Sequence, residues 1–263
     1  MRRPKKSGAL SLWMNNQRVG TWAVTAQGEH VFHYDNAWLA SPLGRPISLS
    51  MPLRPATAPY KGEAVRNYFE NLLPDNDNIR QRLAKRFSTG TEAFRLLAEI
   101  GRDCVGALQI MPEAENPPSN EAIQFEPLST EQVAEHLAGT LTTPAFTQTD
   151  DTFRISIAGA QEKTALLWHN ENWCRPLGAS PTTHIFKLPM GQMPGGIDLS
   201  TSVENEWLCH TLLQAFEIPV AKAEIVQFGE MKALCVERFD RRWTANGRLV
   251  RLPQEDFAQV FGV

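Results

Sequence analysis

The stretch Thr183-His184-Ile185-Phe186-Lys187-Leu188-Pro189 decides the fold. It reads as a short strand stopped by Pro189, and strand alternation places Thr183, Ile185 and Lys187 on one face. A lysine inside an apolar strand must carry its ammonium out to water or meet an anion. In the first case Lys187 snorkels at the strand end beside Pro189. In the second it lies over the phosphates of a nucleotide, with Ile185 against the base.

Downstream, residues 202–216 spell the longest helix, and Glu206, Cys209, Leu213 and Phe216 fall on it at spacings of three, four and three. Those spacings put them on one face. A carboxylate on an apolar stripe is costly unless paired. A strand lysine paired with a helix glutamate is how protein kinases fix the α- and β-phosphates of ATP. A solvated charge at the rim of the stripe is the alternative, and Glu204 lies further from the stripe. Upstream runs Ser156-Ile157-Ala158-Gly159-Ala160-Gln161-Glu162-Lys163-Thr164, between expected strands over 153–157 and 164–168. Small residues let backbone approach a ligand, consecutive N–H groups can cradle phosphate, and Lys163 adds charge. Taken alone, the same residues make a tight hairpin with no ligand. The second glycine of a Walker A loop is absent.

Further on, Cys235-Val236-Glu237-Arg238-Phe239-Asp240-Arg241-Arg242 runs from an apolar strand abruptly into charge. Such a segment resembles a hinge between lobes, in which backbone groups of Glu237 to Phe239 meet an adenine edge and Phe239 packs on the ring. A strand end closed by an Arg/Asp turn is the plainer reading. The order is phosphate turn, lysine strand, glutamate helix, hinge strand. That is the order of the N-terminal lobe of a protein-kinase-like fold.

Ahead of this unit, Leu10–Trp13 and Val19–Val24 read as a hairpin over Asn15-Asn16. Val31–Tyr34 and Ile47–Met51 read as further strands. Three helices follow, with Val65, Phe69 and Leu72 on the first, Asp77 capping the second and Thr91 the third, and Val105–Met111 is a strand. Residues 112–128, with four prolines, read as a linker, and Ser129-Thr130-Glu131-Gln132 has a capping-box pattern. Glu224–Phe228 and Lys232–Glu237 form a hairpin over Gly229-Glu230, Leu249–Leu252 is a strand, and Pro253 begins a helix. The expected class is α+β, divided as 1–111, a linker and short helix over 112–150, a nucleotide-binding unit over 151–252, and a further segment from 253.

The 263 residues carry a net charge of -3, which argues against a dedicated nucleic-acid binder. The cluster Arg2, Arg3, Lys5 and Lys6 reads as a solvated tail. There is no run of 18 apolar residues to span a membrane and no secretory pattern. Cys104, Cys174, Cys209 and Cys235 are scattered, as reduced thiols of the cytoplasm are, and form no zinc motif.

The chain closely resembles the HipA family of toxin kinases. The resemblance is carried by Leu12–Gly20, Asn71-Leu72-Leu73-Pro74-Asp75, Glu99–Ala107, Ser156–Leu166, Pro181–Pro189, Val236–Trp243 and Arg251–Asp256. It implies an N-terminal subdomain followed by a kinase-like N-lobe. It implies a serine/threonine kinase of a toxin–antitoxin module, active in persistence, using Mg-ATP on a protein substrate of the aminoacyl-tRNA synthetase type. It implies a small helix-turn-helix antitoxin as partner, and operator DNA reached only through that partner. By position, Ala158, Gly159, Ala160, Gln161, Glu162 and Lys163 would surround the ATP phosphates with Lys187. Glu237, Arg238 and Phe239 would hold adenine, and Val105 and Ile185 would line its pocket. Glu206 would be the structural partner of Lys187. Ser156 matches the serine the family autophosphorylates to switch the kinase off. The family continues into a helical lobe that supplies a catalytic aspartate and magnesium ligands. Asp75, Asp198 and Asp240 lack an asparagine at kinase spacing. The chain is therefore expected to be a fragment cut before the catalytic loop, without metal ligands and inactive alone. The alternative is a non-catalytic binding module that occupies the antitoxin or a full-length toxin.

Overall fold

Apolar alternation in two blocks of the chain builds two antiparallel sheets. The computed structural model describes residues 8–115, 123–141, 156–159, 161–192 and 195–263. The basic start, residues 153–155 of an expected strand, and Ala160 lie outside them.

The first sheet holds β1 (Ala9–Met14), β2 (Gln17–Val24), β3 (His30–Tyr34), β4 (Tyr60–Lys61) and β5 (Leu108–Pro112), in the order β4-β3-β2-β1-β5. The β1–β2 turn puts Asn15 and Asn16 at φ 45° and 71°, the left-handed pair that a tight hairpin demands. After the short α1 (Asn36–Ala40), helices α2 (Glu63–Glu70), α3 (Asp77–Arg86) and α4 (Ala93–Ile100) follow. Their apolar stripes pack with the sheet around Trp22, Phe32, Phe69, Leu96 and Leu97. Trp22 stacks on Phe69 with ring centroids 3.7 Å apart.

Sequence expectation and structure part at several places here. Ile47–Met51 is a turn with a single Ser48–Met51 bridge, not a strand. The Tyr34 hydroxyl draws it inward by accepting from Ile47 N–H at 2.9 Å and donating to the Met51 carbonyl at 2.6 Å. The side-chain cap of α3 is Asn76, one residue before Asp77, and α4 starts after Glu92 with no side-chain cap. The strand expected from Val105 begins at Leu108, because residues 103–106 are taken up by another network.

The second sheet holds β6 (Phe125–Pro127), β7 (Lys163–His169), β8 (Asn172–Pro176), β9 (His184–Lys187), β12 (Ala223–Phe228) and β13 (Met231–Glu237), ordered β12-β13-β9-β7-β8-β6. The pairs β10 (Gly191–Gln192) with β11 (Asp198–Leu199), and β14 (Arg241–Trp243) with β15 (Leu249–Arg251), stand apart. One face of the large sheet is closed by α5 (Thr130–Leu141), with Leu137, Leu166, Phe186 and Cys235 in its core. The capping box at its start is present: Gln132 N–H donates to Ser129 Oγ and Ser129 N–H to Gln132 Oε1. Part of the expected linker is β6, an edge strand of this sheet.

Helix α6 (Ser202–Ala215) lies against β12 and β13, and α7 (Phe257–Phe261) is the last element. Helix α7 begins at Phe257 rather than Pro253, because Asp256 caps it: its carboxylate accepts from Gln259 N–H, and the Gln259 side chain returns to Asp256 N–H. The stripe expected on α6 does not seal against the sheet. Leu213 and Phe216 are exposed, as are Trp207, Leu208 and Leu212 around the helix. Its apolar residues lie on several faces, so periodicity picks out no single buried one.

Candidate functional site

Strand β9 alternates as read: Phe186 is fully buried under α5, while Ile185 and Lys187 are half-buried on the other face. Antiparallel register sets Lys187 beside Lys163 and Ile185 beside Ala165 on β7, and opposite Leu234 and Val236 on β13. Two lysines therefore project from neighbouring strands. Lys187 Nζ donates to Glu206 of α6, which also lies 3.9 Å from His210. Glu204 instead pairs with Lys232. Lys163 Nζ donates to the Ala158 carbonyl at 2.6 Å. Burial, and then the charge of Lys187, bring the Lys163 ammonium down to about 8.

The segment before β7 wraps over this pair of lysines. Ser156 is fully buried and donates through Oγ to the Leu72 carbonyl at 2.7 Å, while its N–H donates to the Asp103 carbonyl. The expected strand therefore does not run through Ser156 and Ile157, which lie outside any strand. Gly159 has φ +106°, and a Cβ there would meet Lys163 Nζ at 2.5 Å. That left-handed backbone is one that side chains with a Cβ rarely adopt, which favours glycine at the turn. Gln161 Nε2 donates to the Leu188 carbonyl, and Glu162 pairs with Arg82 of α3. The described part of this loop is thus pinned to the first domain on one side and to β9 on the other.

A second cluster surrounds the end of β13. Glu237 N–H donates to the Lys222 carbonyl and Arg238 N–H to the Thr183 carbonyl. The Phe239 N–H makes no hydrogen bond among the described residues, and its ring is 68% exposed. The Arg238 guanidinium is buried and fully engaged. It donates to both oxygens of Asp240, to Asp103 Oδ2, to Thr182 Oγ1 and to the Cys104 carbonyl. Asp103 also accepts from Arg241, Arg251 and Thr182. Burial opposes its charge, but Arg241, Arg238 and Arg251 outweigh that and hold the carboxyl well below the usual range. Val105, half-buried, sits inside the segment this network holds.

Sequence reading passed over Asp103, Thr182, Arg241 and Arg251. Asp103 lies 135 residues before Arg238 and 148 before Arg251, and nothing local distinguishes a buried arginine from a surface one. The one available signal is density: Arg238, Asp240, Arg241 and Arg242 fall within five residues beside an apolar strand.

The donor set fits a polyphosphate: two ammonium groups, one buttressed by a carboxylate, beside a turn that a Cβ would fill. No group of three His, Cys, Asp or Glu side chains able to hold a metal ion by themselves occurs among the described residues. No helix there is long and apolar enough to cross a membrane.

Comparison with known proteins bears on the same two regions. The model of the HipA N-terminal domain matches residues 10–111, and that of the HipA-like C-terminal domain matches residues 155–263. The chain is 32% identical over 264 residues to the Y4mE protein of Sinorhizobium fredii, covering 97% of this chain and 59% of that protein. It is 28% identical over 259 residues to the serine/threonine-protein kinase toxin HipA of Shewanella oneidensis, covering 98% of this chain and 56% of that one. A solved structure of the Shewanella oneidensis HipA, HipB and operator DNA complex superposes with a TM-score of 0.72 at 28% identity, over 96% of this chain and 56% of that one. The chain thus spans somewhat over half the length of these relatives.

Proposed function

The chain belongs to the HipA family, and on that premise we propose that it forms the nucleotide-binding part of a serine/threonine-protein kinase toxin. The single observation that carries the reading is the Lys187–Glu206 ion pair beside the glycine turn over Lys163. In this reading the second sheet with α6 is a kinase-like N-lobe behind a HipA-type N-terminal subdomain. Lys187, oriented by Glu206, and Lys163 bind the phosphates of ATP. Ala158 and Gly159 offer backbone at that end. Phe239 offers a free N–H and an exposed ring to adenine, with Ile185 and Val105 as apolar walls. Bound ATP supplies the phosphoryl group. Everything these residues do is hold and orient it.

The partner inferred is a helix-turn-helix antitoxin, with operator DNA reached through it, because the matched structure holds its toxin with HipB and operator DNA. The substrate inferred is a protein of the aminoacyl-tRNA synthetase class. These 263 residues alone transfer no phosphate in this reading, since they contain neither an Asp–Asn pair at catalytic-loop spacing nor a metal-ligand cluster among the described residues.

Titration calorimetry with Mg-ATP tests the site. Binding should be weak, with a Kd of about 1 mM, and Lys187→Met should weaken it by about tenfold or more, the worth of a charge-assisted hydrogen bond. Binding that ignores Lys187→Met would refute the phosphate assignment. Phosphate transfer from labelled ATP by the chain alone would refute its inactivity.

A further inference from the structure

The Asp103 network does more than join two domains. Asp103 is 3% exposed, and its two oxygens accept from five donors. Oδ2 accepts from Thr182 N–H at 3.0 Å, Thr182 Oγ1 at 2.7 Å and Arg238 at 3.2 Å. Oδ1 accepts from Arg241 at 2.8 Å and from Arg251 Nε at 3.2 Å. Every partner belongs to the second domain.

The residues after Asp103 are held as tightly. The Cys104 carbonyl accepts from Arg238 at 2.9 Å and Arg241 at 3.0 Å. Gly106 N–H donates to Asp240 at 2.7 Å, and the Gly106 carbonyl accepts from Arg241 at 2.8 Å. Gly106 has φ +75°, and a Cβ there would meet the Gln254 carbonyl at 2.9 Å. The chain on both sides of Val105 is therefore fastened to the chain on both sides of Phe239, by Arg238 before it and by Asp240 and Arg241 after it. Three guanidinium groups face two carboxylates, so Asp103 cannot lose its charge without leaving buried arginines under-compensated. An apolar contact would join the domains at lower desolvation cost. What directional, multidentate hydrogen bonds add is a fixed geometry.

We propose that Asp103 is a positioning residue for the base end of the nucleotide site: it sets Val105, from the first domain, against Phe239, from the second. This rests on the nucleotide reading above, in which those two residues meet adenine. Asp103 touches no ligand and acts through Arg238 and Arg241. The phosphate end, built on Lys163, Lys187 and Glu206, makes no hydrogen bond to the Asp103 carboxylate among the described residues; its loop meets Asp103 only where Ser156 N–H donates to the backbone carbonyl, which an asparagine keeps.

That separation supplies the test. Binding of Mg-ATP and of Mg-tripolyphosphate, which lacks the base, is measured on the full chain and on Asp103→Asn, below the unfolding temperature of both. The expected result is an ATP affinity lowered by about tenfold with tripolyphosphate affinity unchanged, so that the preference for ATP is lost. Arg241→Lys keeps the charge but loses the fork that spans the Cys104 and Gly106 carbonyls. It should show the same selective loss and covers the case in which Asp103→Asn fails to fold. Variants that keep the ATP preference, or lose both ligands together, would overturn the positioning role. A parent chain that binds tripolyphosphate no more weakly than ATP would overturn the nucleotide reading itself, and the proposal with it.

Discussion

Ser156 shows how one hydroxyl ties a loop to a neighbouring domain. Its Oγ donates to the Leu72 carbonyl in a fully buried position. A carboxylate there cannot donate and would face a carbonyl oxygen without water. Ser156→Asp should destabilise the protein by about 3 kcal/mol or release residues 156–163 from Leu72, whereas Ser156→Ala should cost about 1 kcal/mol. Urea unfolding with hydrogen exchange over the loop distinguishes the two, and a Ser156→Asp protein as stable and as protected as the parent would contradict this account. The same physics gives a phosphorylated Ser156 no place in the loop as it stands.

At the scale of elements, α7 and α6 behave differently from what their sequences imply. A five-residue helix has little stability of its own. Helix α7 is held by its capping box and by hydrogen bonds to the first domain. Gln259 is buried and donates to the Tyr68 carbonyl. Ser48 and Ser50 donate to the Gln259 carbonyl, and Asn67 and Asn71 donate to the carbonyls of Gly262 and Val263. The first domain thus covers one face of this helix, while Phe257 and Phe261 remain exposed, their ring centroids 6.2 Å apart. Hydrogen exchange should show residues 259–263 protected together with α2 rather than fraying first. Asp256→Ala should cost about 1 kcal/mol, the usual worth of a cap. Exchange in 259–263 at the rate of a free peptide would show that the docking does not hold. On α6, by contrast, apolar residues on several sides stay in water, and Glu204 and Glu206 tie its first turns to the sheet through Lys232 and Lys187.

For the molecule as a whole, the link between the two domains runs through buried charge, so it should respond to acid. Asp103 and Asp240 both have carboxyls held below their ordinary value of 3.8. For each, burial opposes ionisation and the surrounding arginines overcome it. A carboxyl depressed in the folded state contributes stability that is fully present above the unfolded value and is lost as pH falls through the folded one. Stability should therefore decline below about pH 4, and both domains should respond together because they share Asp103. Far-UV circular dichroism and tryptophan fluorescence, with Trp13, Trp22 and Trp38 in one domain and Trp168, Trp173, Trp207 and Trp243 in the other, should trace one coincident acid transition. Two separated transitions would show that the network does not couple the domains.

The sequence by itself determined the features whose causes are local. The Asn15-Asn16 hairpin, the 223–237 hairpin, the capping box at Ser129 and the alternation of Ile185 and Lys187 follow from turn geometry and side-chain period. Lys187 and Glu206, nineteen residues apart, could be matched because one strand and one helix were legible between them. Tertiary structure alone decided the features whose partners are distant. Asp103 meets Arg251 across 148 residues, and Ser156 meets Leu72 across 84. Tyr34 turned an apparent strand at 47–51 into a loop, and Arg238 turns its guanidinium inward to Asp103, 135 residues away in the chain. Turn, cap and strand signals are read from a few neighbouring residues. A buried charge is stabilised by whichever opposite charge the fold brings to it, and that pairing has no trace in local spacing.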